Sequence, residues 1–115
     1  MPPNTTCIPA RNFQVVTYLA KANSLFPEQE LRRCENYARA FNWGISLIVV
    51  DDEANVRAPE FRPMLQAAFR QVLDRQAGAI LVPSKATISP IDGEFNEFAQ
   101  RVEKAAGFIQ VATGR

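Results

Sequence analysis

Apolar and polar positions alternate along this chain between two periods, one suited to strands and one to helices. Residues 13–20 are rich in β-branched and aromatic side chains, which fit a pleated, buried strand. Pro27 then opens a helix with an acidic first turn at Glu28 and Glu30, as the positive end of a helix dipole prefers. Leu31, Cys34, Ala38 and Phe41 follow at helical spacing and predict one inward stripe, ending at Asn42-Trp43-Gly44 with Gly44 as the left-handed stop. Residues 45–50 predict a second strand and residues 51–58 a polar loop.

Pro59 is a good first helical residue, and Phe61, Met64, Leu65, Ala68, Phe69, Val72 and Leu73 form the clearest amphipathic pattern, capped by Gly78. Residues 79–82 are wholly apolar, as in a central parallel strand covered on both faces. Ser89-Pro90 supplies an N-cap and a first helical proline for a third helix, whose stripe is Ile91, Phe95, Phe98, Val102 and Ala105. Gly107 stops it, and residues 108–113 predict a fourth strand. Strands alternating with helices imply right-handed crossovers and a three-layer α/β/α fold with a mostly parallel four-stranded sheet. Residues 1–12 read as a flexible N-terminal stretch, and residues 13–115 as one α/β domain.

Composition adds mainly exclusions. The 115 residues carry 13 Lys and Arg against 12 Asp and Glu, so no surplus of charge favours a nucleic acid or membrane surface. Histidine is absent, which removes the commonest metal ligand and general base. Cys7 and Cys34 lack a CxxC spacing. No apolar run approaches the roughly 18 residues that span a bilayer, and Met1 to Thr6 lacks the basic and apolar regions of a signal peptide. These features predict a cytoplasmic domain with no cofactor and no bound metal.

In an open parallel sheet, chemistry gathers in the loops after the carboxyl ends of the strands. Neither G-x-G-x-x-G nor a Walker-type G-x-x-x-x-G-K-[ST] occurs there. Asp51-Asp52-Glu53 is placed as a hard-cation site would be, although consecutive residues point in different directions. Ser24, Ser84, Thr87 and Ser89 are hydroxyls at strand ends, and Ser89 already serves as an N-cap. A serine nucleophile needs an activating base or cationic partners, and only Lys21, Arg57 and Lys85 lie near.

The loops and helix starts together resemble the catalytic domain of the serine recombinases, the resolvases and invertases. Tyr18-Leu19-Ala20-Lys21-Ala22 is similar to that family's Y-x-R-V-S. Glu28-Gln29, with Leu31 through Tyr37-Ala38 and on to Trp43, resembles its first helix, E-Q…L-x-x-Y-A-x-x-x-G-W. Arg57-Ala58-Pro59-Glu60-Phe61 before Met64-Leu65 is similar to R-P-x-F-x-x-L-L. Ile80-Leu81-Val82 stands where a V-V-V strand precedes L-D-R-L-S-R. The resemblance covers residues 14–113 and implies a sheet of order 2-1-3-4.

It also implies losses at the chemistry. The family's serine attacks a DNA phosphate while arginines neutralise it. Here the nucleophile position falls on Ala22 and its neighbouring arginine on Ala20. The Asp-Arg pair and second Arg after strand three fall on Lys85, Ala86 and Ser89. The family continues past strand four into a dimerising helix and a DNA-binding domain, whereas this sequence ends at Arg115. The reading is a non-catalytic resolvase-like domain for protein interaction or regulation. It engages a protein partner or itself, with no membrane and no strong DNA binding by this domain alone. The alternatives are a divergent recombinase acting on DNA through Ser24 and a binder of small anions at Lys21, Arg57, Ser84 and Lys85.

Overall fold

The central strands are set by their side chains. β1 (Gln14–Ala20) is mostly apolar and β3 (Ala79–Val82) wholly so, and both are buried along almost their whole length. Only a sheet interior flanked by helices accommodates such runs. The computed structural model describes residues 13–21, 25–52 and 57–113, so the expected N-terminal stretch 1–12 lies outside the described residues. Within them the elements run β1, α1 (Glu28–Ala40), β2 (Gly44–Asp51), a 3-10 turn (Pro59–Phe61), α2 (Pro63–Leu73), β3, a short α3 (Lys85–Ile88), α4 (Asp92–Lys104) and β4 (Phe108–Val111).

All three strand pairings are parallel, and the sheet order is β2-β1-β3-β4. The expected α/β fold and strand order are what the chain adopts. Ala79 sits beside Val15 on one side and Phe108 on the other, so the centre of the sheet is clamped by β1 and β3. The side chains of these strands point alternately to two cores. Val16, Tyr18, Val49, Ile80 and Val82 pack under α2 and α4 through Leu65, Ala68, Val72, Phe98 and Val102. Val15, Leu19, Ala79 and Leu81 meet Cys34 and Ala38 of α1. Burial pushes the Cys34 thiol up to about 12, so it stays protonated and packs as a small apolar group.

The helix ends correct the sequence reading. No glycine takes the left-handed conformation among the described residues. Asn42, Arg75 and Ala106 do, with φ of 60°, 63° and 69°. Each sits in a Schellman pair of hydrogen bonds. Trp43 N donates to Ala38 O at 2.8 Å and Asn42 N to Arg39 O at 3.1 Å, with matching pairs at Gln76/Arg75 and Gly107/Ala106. Gly107 is small because the chain passes close by: a Cβ there would lie 2.6 Å from Val72 Cγ1 and 3.1 Å from Gly78 O.

Other expectations shift with the helix boundaries. Pro59 opens only the 3-10 turn, and α2 begins at Pro63, so Phe61 falls outside the stripe and is exposed. Phe41, Met64, Leu73 and Ile91 are also exposed, being at or beyond the ends of helices whose middles face the core. Phe69 is half-buried rather than fully enclosed. Ser89 does not cap α4. Its Oγ accepts from Ile91 N at 3.0 Å and donates to Glu94 Oε1 at 2.7 Å, a local turn that precedes the helix. α3 was not expected, because four residues are too few to show a helical period. β4 stops at Val111, two residues short of the expected strand.

Candidate functional site

The carboxyl ends of β1, β2 and β3 meet at one edge of the molecule, where the sequence placed the candidate chemistry. Two layers of polar groups lie there, one buried and one exposed.

The buried layer is held by Arg62. This side chain is 2% exposed. Its Nε donates to Arg57 O at 2.8 Å and its Nη1 to Thr87 O at 3.0 Å. It therefore ties the segment before α2 to α3. Beside it the Tyr18 hydroxyl donates to Asp51 Oδ2 at 2.7 Å. Burial raises the Tyr18 pKa well above the ordinary phenol range, and the bond to Asp51 pushes it the same way. Arg62 pulls in the opposite direction and does not prevail. The phenol consequently remains a hydrogen-bond donor throughout the physiological range.

Asp51 and Asp52 part company at the end of β2. Asp51 turns inward to Tyr18 and is 7% exposed, while Asp52 turns outward and pairs with Lys21 Nζ at 3.0 Å. The pair thus offers no shared cradle for a cation, and Glu53 lies outside the described residues. Among the described residues no group of three or more acidic or cysteine side chains could hold a metal.

The exposed layer rims a cleft of about 220 Å³ lined by Ala20, Lys21, Glu30, Arg33, Ser84 and Ala86, with Pro83 and Thr87 at its floor. The structure brings Lys21 and Ser84 together here. Lys85 stands on α3, its Nζ 3.5 Å from Asp92 Oδ1 and 4.9 Å from the centre of the Phe95 ring. Ser84 Oγ lies 3.2 Å from Thr87 Oγ1. Arg33 Nη1 donates to Pro83 O at 3.4 Å. Arg57 is not among the residues lining the cleft, and its carbonyl serves Arg62. Ser24 and Ala22 lie outside the described residues.

Besides Lys85, three family positions read as losses lie among the described residues. Ala20 and Ala86 both face the cleft and present methyl groups to it. Ser89, the third, is buried and bonded within its own turn. Sequence reasoning missed Arg62. It placed the Arg and Pro that start the second helix at Arg57 and Pro59, whereas the helix begins at Arg62-Pro63. The dipeptide was visible, directly ahead of Leu65, Ala68 and Val72. A wider hollow of about 850 Å³ opens elsewhere, beside Phe13, Gln14, Arg75, Gly78 and Ala106. It adjoins the amino ends of β1 and β3, away from the strand ends where these polar groups gather.

No protein-family model matches the sequence, and no curated protein is similar to it. Solved structures do match. The N-terminal catalytic domain of TP901-1 integrase superposes with a TM-score of 0.74 at 17% identity, over 86% of this chain and 76% of that one. The C-terminal catalytic domain of ISC1926 TnpA, an IS607-like serine recombinase, gives 0.75 at 19%, over 90% and 69%. The first open reading frame of transposon ISC1904 from Sulfolobus solfataricus P2 gives 0.65 at 10%, again over 90% and 69%. With its parallel sheet in the order β2-β1-β3-β4 and helices on both faces, the chain has the resolvase-like fold of the serine recombinase catalytic domain.

Proposed function

We propose that this is a non-catalytic resolvase-like domain that works through protein contact, as an interaction or regulatory part of a recombination or mobile-element system. One observation carries the reading: the polar side chains at the strand ends have partners within the chain itself. Arg62, the deeply buried cation, is 2% exposed with donors directed to two backbone carbonyls. Lys21 is paired with Asp52, Lys85 with Asp92, and Ser84 with Thr87. Ala20 and Ala86 add no charge to the cleft, and its two cations, Lys21 and Arg33, are offset by Asp52 and Glu30. Phosphoryl transfer needs preorganised positive charge around the phosphate, and this rim is balanced.

The surface supports the same reading. No helix among the described residues is long and apolar enough to cross a membrane. On α1 the basic Arg32, Arg33 and Arg39 are interleaved with Glu28, Glu30 and Glu35, and the whole chain has 13 basic and 12 acidic side chains. Duplex binding without sequence preference depends on clustered Lys and Arg that release counterions. The domain is expected to bind a fluorescent duplex of about 30 base pairs no tighter than roughly 0.1 mM at physiological salt. Anisotropy at two salt concentrations measures this. Micromolar affinity with a steep salt slope contradicts the reading.

A further inference from the structure

The strand order leaves β2 at one edge of the sheet, and this edge differs from the other. β2 runs eight residues, twice the four of β4. From Gly44 to Val50 it holds no charge and no proline, two of the devices by which edge strands avoid pairing with other chains. Leu47 is 41% and Ile48 40% exposed, and Ser46 beside them is exposed as well. The exposed stretch therefore lies in the middle of the strand.

The hydrogen bonds show which backbone groups face outward. At the far end Lys21 N donates to Asp51 O at 2.9 Å, so Asp51 points its carbonyl inward to β1. In a parallel ladder alternate residues direct their backbone groups to one neighbour. Val49 and Leu47 thus face β1, while Ile48 and Val50 direct N–H and C=O away from the sheet. Gly44 N donates inward to Phe13 O at 2.8 Å, which is out of phase with Asp51 by one residue. The irregularity opposite Val15 and Val16 absorbs that residue at Ser46. From Leu47 to Asp51 the edge is regular. No strand lies beyond it among the described residues.

We infer that β2 is a self-association edge, joining two copies antiparallel into one continuous sheet. This rests on the protein-contact reading above and names the contact. A two-fold axis perpendicular to the sheet, centred on Ile48, sets Ile48 opposite its counterpart as a hydrogen-bonded pair. It sets Leu47 opposite Val49 of the second copy, which is 4% exposed beneath the helices, so the exposed apolar match is that of Ile48 with its own counterpart. Directly opposed residues of an antiparallel pair lie on one face, and Ile48, 40% exposed, meets its own copy there. The uncharged sequence places no like charges opposite each other, so one strand meets the requirements of both sides of an isologous contact.

Sedimentation equilibrium from roughly 1 µM to 1 mM, a range that brackets weak and moderate homodimers, tests the inference. The native chain is expected to show a reversible monomer–dimer equilibrium. Ile48→Lys and Ile48→Glu each place a charge against its own copy and are expected to raise the dissociation constant roughly tenfold or more. An equimolar mixture of the two is expected to recover the dimer, because Lys then faces Glu. That recovery also shows both variants to be folded, and Ile48→Thr, which keeps the β-branch, is expected to weaken the dimer with an unchanged far-UV spectrum. A native chain monomeric throughout overturns the inference. So does a dimer indifferent to Ile48→Lys, or a mixture that stays monomeric while both variants are folded. These outcomes leave the non-catalytic reading standing, since that is decided by measurements on DNA.

Discussion

Arg62→Ala is expected to lower the stability of the domain by about 3 kcal/mol or more, since it removes two buried hydrogen bonds from a charged donor, each worth about 1.5–3 kcal/mol. The guanidinium is almost completely enclosed, and two of its donors serve the carbonyls of Arg57 and Thr87. Without it both carbonyls lose those donors, and the Tyr18–Asp51 pair loses the cation whose field reaches it. Most globular domains are stable by only about 5–15 kcal/mol, so the variant should unfold at a much lower urea concentration. Lysine should not restore the loss, because a single ammonium cannot reproduce a planar fork reaching two carbonyls in different segments of the chain. Urea denaturation followed by circular dichroism measures both variants. An Arg62→Ala midpoint close to that of the native chain would show that the buried layer is not held by this residue.

Phe98→Ala is expected to cost a similar amount, roughly 3–5 kcal/mol, by a different route. Phe98 is 2% exposed and lies in the core between α4 and the sheet, its ring 5.7 Å from that of Phe69 and tilted 66° to it. Truncation leaves a cavity that neighbouring side chains, already close-packed, fill only in part. Phe69→Ala is expected to cost less, since Phe69 is half-buried and water reaches part of the vacated space. The same denaturation experiment ranks the two. Equal losses would mean that Phe69 is as enclosed as Phe98.

The fold was legible because its strongest signals were two-sided. The four apolar residues of β3 and the β-branched run of β1 suit a covered parallel strand, and β3 matches its expected bounds residue for residue. Helix ends were harder. Both Pro59 and Pro63 satisfy the rule for a first helical residue, and the sequence does not say which one begins a 3-10 turn. Choosing Pro59 displaced the expected helix start by four residues and hid Arg62. Glycines misled for a related reason. Gly44, Gly78 and Gly107 follow the three helix ends closely, yet the left-handed residues are Asn42, Arg75 and Ala106. At Gly107 the requirement is close approach to Val72 and Gly78, a tertiary property that no local pattern encodes.

The strand-end cleft was legible in outline from topology alone. A parallel sheet sends Lys21, Asp52 and Ser84 to one end whatever the details. Which of these groups pair was not legible, because Lys21 with Asp52, and Tyr18 with Asp51, are contacts between different strands. Asp51 and Asp52 show the point. Adjacent in sequence and alike in chemistry, they separate into a buried acceptor and an exposed counter-ion because successive side chains of a strand face opposite ways.

The central claim, that this resolvase-like domain does not cut DNA, is tested most directly by trapping. A serine recombinase reaction leaves a covalent phosphoseryl link between protein and DNA, which survives denaturation. The protein is incubated with a nicked suicide duplex, which prevents religation, and the products are separated on a denaturing gel. The account predicts that protein and DNA migrate separately, with no slower band. A slower, protease-sensitive band that disappears in Ser24→Ala would contradict it and assign the nucleophile to that serine.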